Sequence, residues 1–141
     1  MKTTERLITQ LKMMEGLRLT AYRDAAGVLT IGYGHTQGVR EGDRISEYWA
    51  NELLAEDVAR VAVAVKELKV ARTEGQLDAL VSLAFNIGIE ALKRSTLLKV
   101  IRSGGSNADI KREFRRWVYC KGKKLPGLVK RREWEAKRFF E

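Results

Sequence analysis

Two carboxylates and one hydroxyl near the N-terminus are the side chains of this 141-residue chain best suited to acid–base chemistry: Glu15, Asp24 and Thr30. Two carboxyl groups on different structural elements around a cleft can cleave a glycosidic bond. One of them protonates the leaving oxygen while the other stays ionised. Glu15 follows the apolar pair Met13 and Met14, where partial burial favours the neutral acid. Asp24 lies in a polar turn whose backbone N–H groups favour the carboxylate.

The strand that follows Asp24 suggests an approach for a ligand. Period-two alternation places Thr30, Gly32 and Gly34 on one face, and a hydroxyl flanked by glycines predicts an open polar surface. An ordinary interpretation stays open at this point, because Asp24 is a common turn former and Glu15 fits an exposed helix end. Spacing alone does not separate these interpretations.

The elements that must position these residues follow from periodicity. Apolar residues at helical spacing predict a helix over residues 4–14, so that Glu15 lies at its end and Gly16 can terminate it. Residues 19–38 alternate β-branched and aromatic side chains with glycines, which predicts short strands joined by a turn at residues 24–27. Further helices are predicted after four capping residues and near the C-terminus: Ser46, Thr73, Ser95, Ser106 and residues 128–140. The pattern indicates one α+β domain.

Basic residues concentrate towards the C-terminus. The chain has 27 Lys and Arg against 18 Asp and Glu, a net charge of +9. Residues 111–141, including a predicted basic loop at residues 121–127 with a turn at Pro126 and Gly127, contain twelve of the basic residues and four of the acidic ones. Such a segment attracts nucleic acid, an anionic membrane or a bacterial envelope polymer, or is simply a solvated face. No nucleic-acid-binding motif accompanies the charge, so no nucleic-acid partner is predicted.

Composition excludes several classes of protein. Cys120 and His35 are the only residues of their types, which excludes an internal disulfide framework and a zinc site of the Cys/His kind. No metal or cofactor is predicted, and His35 is interpreted as a structural, hydrogen-bonded histidine. No apolar run approaches the roughly 18 residues of a membrane-spanning helix. Residues 1–6 lack the apolar stretch of a secretory signal, so no leader or membrane anchor is expected.

Three blocks of the chain resemble the signature of the phage-type lysozymes, glycoside hydrolase family 24. The first, residues 15–35, contains Glu-Gly followed by Tyr-x-Asp-x-x-Gly-x-x-Thr-Ile-Gly-x-Gly-His, with every fixed position at the right spacing. The other two blocks are residues 76–88 with 95–98, and residues 117–119 with Gly122 and 126–133. The blocks occur in order and without a large insertion, so the resemblance extends over nearly the whole chain.

The resemblance implies an α+β, lysozyme-like fold in a single domain over residues 1–141. A small N-terminal β-containing lobe (residues 15–55) would pack with a larger, mostly helical lobe (residues 1–14 and 56–141), with a cleft between them. The implied activity is that of an endolysin or muramidase. It would hydrolyse the β-1,4 bond between N-acetylmuramic acid and N-acetylglucosamine in peptidoglycan, with no cofactor, for host cell lysis and phage release.

The same resemblance assigns roles to individual residues. Glu15 would be the general acid, Asp24 would stabilise positive charge on the sugar and orient the attacking water, and Thr30 would hold that water. An inverting reaction would place the two carboxyl groups about 6.5–9.5 Å apart. Candidate substrate contacts are Thr36, Phe85, Asn86 and Thr96, with Phe85 equally compatible with the core. Either Arg131 or Arg132 is expected to pair with Glu15 or with its surroundings. Pairing with Glu15 opposes a protonated acid, so burial must outweigh it.

The resemblance also suggests where the protein acts. A monomer without stable membrane insertion would accumulate in the host cytoplasm and reach the wall through a holin. A different class of function stays open beside this one: a binding or membrane-perturbing module that acts through its basic C-terminal segment. Lysis by such a module would disappear at high salt, because exposed charges are screened over about 8 Å near physiological ionic strength.

Overall fold

The computed structural model describes residues 1–141, which form seven helices and four short strands. In chain order the elements are α1 (Glu5–Glu15), β1 (Arg18–Arg23), β2 (Leu29–Gly32), α2 (Glu47–Glu67), α3 (Glu74–Ile87), α4 (Ile89–Lys93), α5 (Thr96–Arg102), α6 (Asn107–Arg115), β3 (Tyr119–Cys120), β4 (Lys123–Lys124) and α7 (Pro126–Arg138). None of these helices combines the length and the apolar character that a membrane crossing requires.

The first helix, α1, ends at Glu15, one of the two candidate catalytic carboxyl groups. The residue that follows, Gly16, has φ +71°, and its N–H donates to the carbonyl of Lys12 at 3.0 Å. Residues that carry a side chain rarely adopt this backbone conformation, whereas glycine adopts it easily. Gly16 therefore ends the helix and directs the chain into β1. The predicted helix is therefore confirmed, and Glu15 is its last residue.

The small β element is an antiparallel hairpin with an irregular edge. Strands β1 and β2 pair from Arg18 opposite Gly32 to Arg23 opposite Leu29, with a register shift between Arg18 and Tyr22. Residues 43–45 extend this element, because Ala21 and Leu19 exchange backbone hydrogen bonds with Asp43 and Ile45 at 2.9 Å. The predicted hairpin and its turn at residues 24–27 are confirmed.

The helical part of the chain is built around α3. Every residue of α3 from Leu77 to Ala84 is buried, and the helix packs against α1, α2, α4 and α7. One apolar cluster of 22 buried residues forms the core, and almost all of it comes from helices. A central helix that is buried on all sides explains why its polar residues, Asp78 and Ser82, need partners within the protein.

Four predicted helix caps are confirmed by their hydrogen bonds. Ser46, Thr73, Ser95 and Ser106 each accept from the backbone N–H three residues ahead, at 3.1–3.2 Å. These bonds satisfy donors that the first turn of a helix leaves free. Local chemistry alone is sufficient to define the four helix starts.

The region between α6 and α7 differs from the predicted basic loop. Residues 119–124 form the small β3–β4 hairpin, in which Tyr119 pairs with Lys124 and Cys120 with Lys123. Pro126 and Gly127 are not a turn, because Pro126 is the first residue of α7, two residues before the predicted start. Proline is favoured there, since its missing N–H is one that the first turn does not need. Strands of two residues are too short to show a period in the sequence.

Candidate active site

A cleft of about 690 Å³ brings Glu15 and Asp24 together. Its walls come from the end of α1, the β1–β2 turn, the end of α3 and the segment from α6 to α7. The lining residues are Met14, Glu15, Asp24, Ala25, Ala26, Asn86, Ile87, Trp117, Tyr119, Cys120, Leu125, Pro126, Gly127, Leu128 and Arg131. A concave surface of this size, lined mainly by apolar residues with a few polar side chains, is the expected form of a ligand-binding site.

Glu15 is held by one arginine and one close backbone approach. Arg131 donates from Nη1 to Oε2 of Glu15 at 2.5 Å, and the Glu15 side chain is 18% exposed. Oε1 lies against Gly34, where a Cβ atom would come within 2.5 Å of it. Of the two candidate arginines, Arg131 is therefore the one that pairs with Glu15.

Asp24 occupies the β1–β2 turn with different partners. Its Oδ1 accepts from the backbone N–H groups of Ala26 and Val28, both at 2.9 Å. Both bonds reach the same oxygen, which leaves Oδ2 available to the cleft. Because both donors belong to the turn itself, the turn fixes the orientation of the Asp24 carboxyl group.

Thr30 contradicts the expectation of an open polar face. The residue is 2% exposed, does not line the cleft, and donates from Oγ1 to the carbonyl of Val28 at 2.8 Å. Gly32 on the same strand is covered by Ile45 and Ala50, because the start of α2 packs there. Thr30 is instead linked to the turn through Val28, whose N–H is bonded to Asp24.

The candidate substrate contacts occupy different positions. Asn86 lines the cleft and accepts from Nη2 of Arg132 at 2.7 Å. Phe85 packs against the core, and Thr36 is exposed outside the cleft lining. Thr96 lines a neighbouring crevice of about 190 Å³ together with Trp117, which also forms part of the cleft wall.

His35 is held in place as a structural residue would be. Its Nδ1 lies 2.8 Å from Oδ2 of Asp57, and its Nε2 lies 2.9 Å from the carbonyl of Gln37. Both ring nitrogens are therefore occupied, and the Asp57 contact attaches the segment after β2 to α2. No group of three or more His, Cys, Asp or Glu side chains is arranged to hold a metal ion.

Tyr22 in β1 lies close enough to Glu15 to be affected by its charge. Burial raises the pKa of Tyr22, and the negative charges of Glu15 and Asp24 raise it further. The positive charge of Arg18 acts in the opposite direction and lowers it. The guanidinium of Arg18 lies 4.3 Å from the centre of the Tyr22 ring. The phenol therefore keeps its proton and stays a hydrogen-bond donor beside the cleft.

A buried charged cluster lies behind the cleft. The sequence pointed to its two arginines, Arg131 and Arg132, but not to Glu135. Glu135 is 0% exposed, and its Oε2 accepts from Oγ of Ser82 at 2.5 Å. Its Oε1 lies 2.9 Å from Nε of Arg132. The two groups form an ion pair, but the angle at the donor is not that of a hydrogen bond. Burial raises the pKa of Glu135, and the positive charges of Arg132 and Arg131 oppose that shift. Burial lowers the pKa of Arg132 to about 10, with Glu135 acting in the opposite direction.

The close approach of the Glu15 carboxyl group to Gly34 leads to a testable prediction. We expect Gly34→Ala to reduce the catalytic rate by about 10- to 100-fold, because the new Cβ must displace the Glu15 carboxyl group, and small misplacements of a reacting group are costly. The free energy of unfolding should fall by only about 1–2 kcal/mol, the cost of a side chain in the left-handed region.

Gly42→Ala is the matched control for this prediction. Gly42 has φ +82°, close to the +80° of Gly34, but a Cβ there would meet nothing within 4 Å. The catalytic rate and the thermal unfolding temperature are measured for both variants. Equal losses of activity in the two variants would contradict a special role for the space at Gly34.

The fold and the cleft define a class of protein: a glycoside hydrolase of the lysozyme type, with two carboxylates facing a cleft beside a small β element. The chain belongs to the phage lysozyme family, whose profile matches residues 12–135. Membership of this family makes it a peptidoglycan-lytic enzyme and confirms the predicted enzyme class.

Similar proteins agree with this assignment. An endolysin of Acyrthosiphon pisum secondary endosymbiont phage 1 is 44% identical to this chain. The alignment is 149 residues long and covers 100% of this chain and 99% of the relative. Among solved structures, the muramidase domain of SpmX from Asticaccaulis excentricus has a TM-score of 0.87 and 34% identity, with 99% of this chain and 98% of that chain covered. The endolysin from Escherichia coli O157:H7 phage FAHEc1 has a TM-score of 0.84 and 36% identity, with 100% and 94% covered. The predicted lysozyme-like fold is confirmed.

Proposed function

We propose that this phage lysozyme hydrolyses the β-1,4 bond between N-acetylmuramic acid and N-acetylglucosamine, with Glu15 as the general acid and Asp24 as the ionised partner. One observation carries the proposal: Glu15 and Asp24 line one cleft from different elements and have different surroundings. Glu15 contacts an arginine and the backbone of Gly34, whereas Asp24 accepts two backbone N–H bonds. A pair of carboxyl groups in unlike environments is what separate acid and carboxylate roles require.

The contacts suggest which atoms take part. Oε2 of Glu15 accepts from Arg131, so Oε1 is the oxygen that carries the proton and gives it to the leaving glycosidic oxygen. Oδ2 of Asp24, which the turn leaves without a partner, then stabilises positive charge on the sugar and orients the attacking water. The carboxyl separation of about 6.5–9.5 Å that inversion requires stays a prediction.

Thr30 takes an indirect role in this proposal. Its hydroxyl is buried and bonded to Val28, which also donates to Asp24, so it supports the turn that displays Asp24. Holding the attacking water would need a rotation of that hydroxyl towards the cleft. Among the proposed substrate contacts, Asn86 has the strongest support because it lines the cleft, whereas Thr36, Phe85 and Thr96 would need a glycan that extends beyond it. Holin-dependent release and action as a monomer also stay predictions.

Analysis of the reaction products tests the proposed chemistry. Purified peptidoglycan is digested with the enzyme and the soluble fragments are analysed by mass spectrometry. Fragments with a reducing muramic acid end are expected, because water is the proposed nucleophile. Anhydro ends would instead indicate a lytic transglycosylase, and intact glycan chains would point to a module that binds or perturbs without cleaving.

We further propose that the basic C-terminal segment attracts the enzyme to the anionic wall. Lys123 and Lys124 form the exposed strand β4, whose hairpin partner β3 lines the cleft. Lys121 in the same hairpin reaches the β1–β2 turn, where its Nζ is 3.7 Å from the position of a Cβ on Gly27. Positive charge at the edge of a cleft raises the local concentration of an anionic substrate.

Charge reversal of this hairpin should change the salt dependence of lysis. We expect Lys123→Glu with Lys124→Glu to slow lysis about tenfold at low ionic strength and to leave the rate at high salt almost unchanged. Lys2→Glu with Lys66→Glu gives the same change in net charge away from the cleft and serves as the control. Turbidity clearing is followed from about 10 mM to about 300 mM salt. Parallel salt profiles for the two double variants would contradict steering by the hairpin.

A further inference from the structure

A single buried carboxylate connects two of the cleft residues through two arginines. Glu135 does not line the cleft and has no exposed surface, but its oxygens lie 2.9 Å from Nε of Arg132 and 3.5 Å from Nε of Arg131. Arg131 continues to Glu15 at 2.5 Å, and Arg132 continues to Asn86 at 2.7 Å. Each of these chains of contacts runs from Glu135, through one guanidinium, to one polar side chain of the cleft.

The remaining contacts restrain the two guanidinium groups in orientation. Arg131 donates from Nη2 to the carbonyl of Ser82 at 3.1 Å, and Arg132 donates from Nη1 to the carbonyl of Trp117 at 3.2 Å. Ser82 also donates its hydroxyl to Glu135 at 2.5 Å. The planar guanidinium has its donors in a rigid arrangement, so contacts on several sides define where its free edge points.

A contribution to the stability of the fold does not by itself explain why such a cluster is present. The Arg131 side chain is 5% exposed and that of Arg132 is 0% exposed, so both cations have lost their water and repel each other. A buried ionic group of this kind is often no more stabilising than apolar residues of the same volume. Glu135 is the only carboxylate in contact with both, and it lets two cations stay side by side beneath the cleft.

We propose that Glu135 is a positioning residue, which acts through Arg131 on Glu15 and through Arg132 on Asn86. This inference rests on the proposed role of Glu15 as the general acid. Without the negative charge of Glu135, the two guanidinium groups separate, and the Arg131 contact that orients the Glu15 carboxyl group is lost or moves. Glu135 itself touches no substrate and is not a catalytic residue.

The test replaces Glu135 with glutamine, which keeps the shape of the side chain and removes its charge. We expect Glu135→Gln to lower kcat by about 10- to 100-fold on soluble peptidoglycan chains, with a smaller change in KM, since displacement of a reacting group by about 1 Å can cost a factor of 100. The ¹³C chemical shift of the Glu15 carboxyl group should change in the same variant. Both are measured well below the unfolding temperature.

Asp78→Asn is the matched control. Asp78 pairs with Arg138 across the same two helices, α3 and α7, one turn away from Ser82 and Glu135, and has no contact with the cleft lining. Its Oδ1 also accepts from the backbone N–H of Thr4 before α1, and the amide oxygen of asparagine keeps that bond, so α1 stays in place. It should lower the unfolding temperature while leaving kcat and the Glu15 carboxyl signal unchanged. A kcat for Glu135→Gln that equals the wild-type value, or a kcat loss of the same size in Asp78→Asn, would overturn the proposal.

A milder variant covers the case in which Glu135→Gln does not fold. Ser82→Ala removes the hydroxyl that donates to Glu135 and keeps both the ionic charges and the Ser82 carbonyl that receives Arg131. We expect about a threefold to tenfold loss in kcat, and an unchanged kcat would contradict the proposal.

Failure of this proposal can be distinguished from failure of the proposed function. Full activity of Glu15→Gln would remove both proposals, whereas an inactive Glu15→Gln beside a fully active Glu135→Gln would remove only this one.

Discussion

Glu15→Gln is expected to lower the rate of peptidoglycan cleavage by about 100- to 10,000-fold, the usual contribution of a general acid. Glutamine has nearly the same shape and can still accept a hydrogen bond from Arg131, but its amide cannot give a proton to the glycosidic oxygen. The Glu15 side chain lies at the cleft surface, 18% exposed, so the fold should be retained. Activity is measured by turbidity clearing of permeabilised bacteria and by release of reducing ends, and the fold by circular dichroism.

Glu133→Gln is the control for the same chemical change on an exposed residue. Glu133 of α7 pairs at the surface with Arg115 of α6, and the two side chains are 51% and 50% exposed. This variant should keep full activity. If Glu15→Gln clears cells as fast as Glu133→Gln, the assignment of the general acid is wrong. If clearing survives in Glu15→Gln but disappears at high salt, the basic segment acts without cleavage.

Asp78→Ala is expected to have the largest effect on stability, a loss of about 3–5 kcal/mol in the free energy of unfolding. The Asp78 carboxylate is buried and accepts from Nε and Nη2 of Arg138 at 3.1 and 3.0 Å. It also accepts from the backbone N–H and the hydroxyl of Thr4, at the start of α1. Alanine would leave the buried Arg138 with Glu141, 3.7 Å away, as its remaining counter-charge, and would remove both bonds that hold Thr4 at the start of α1.

Chemical denaturation and thermal unfolding measure this effect, and a loss of that size lowers Tm by about 10–20 °C in a domain of this length. Glu90→Ala removes an exposed partner of Lys93, with side chains 70% and 46% exposed, and should cost less than about 1 kcal/mol. The double variant Asp78→Leu with Arg138→Met should recover part of the loss, because it removes both buried charges. Equal stabilities for Asp78→Ala and Glu90→Ala would contradict a structural role for this pair.

The amino-acid sequence by itself determined the features that depend on neighbours along the chain. Gly16 predicts the end of the first helix because it adopts a positive φ, and four Ser or Thr residues predict helix starts because their side chains bind the next N–H groups. Asp24 predicts the turn because its carboxylate reaches backbone donors two and four residues ahead. These interactions close within a few residues, so the local sequence contains both partners. The order of the motif blocks likewise indicated the family.

Only the tertiary structure decided which of these residues meet. Arg131 and Arg132 are adjacent in the sequence, but consecutive residues of a helix point about 100° apart, so the packing of α7 against α3 selects Arg131 for Glu15 and Arg132 for Asn86. The covering of Gly32 in β2 depends on where α2 begins, and the space at Gly34 depends on the position of the last turn of α1. The charge partners of Glu135, Arg131 and Arg132, lie within one helical turn in the sequence, but nothing local shows that Glu135 is buried, because the helix packed against it contributes Ser82, 53 residues away. Such contacts form only when separate helices pack, and this packing joins Glu15, the proposed general acid, to the core.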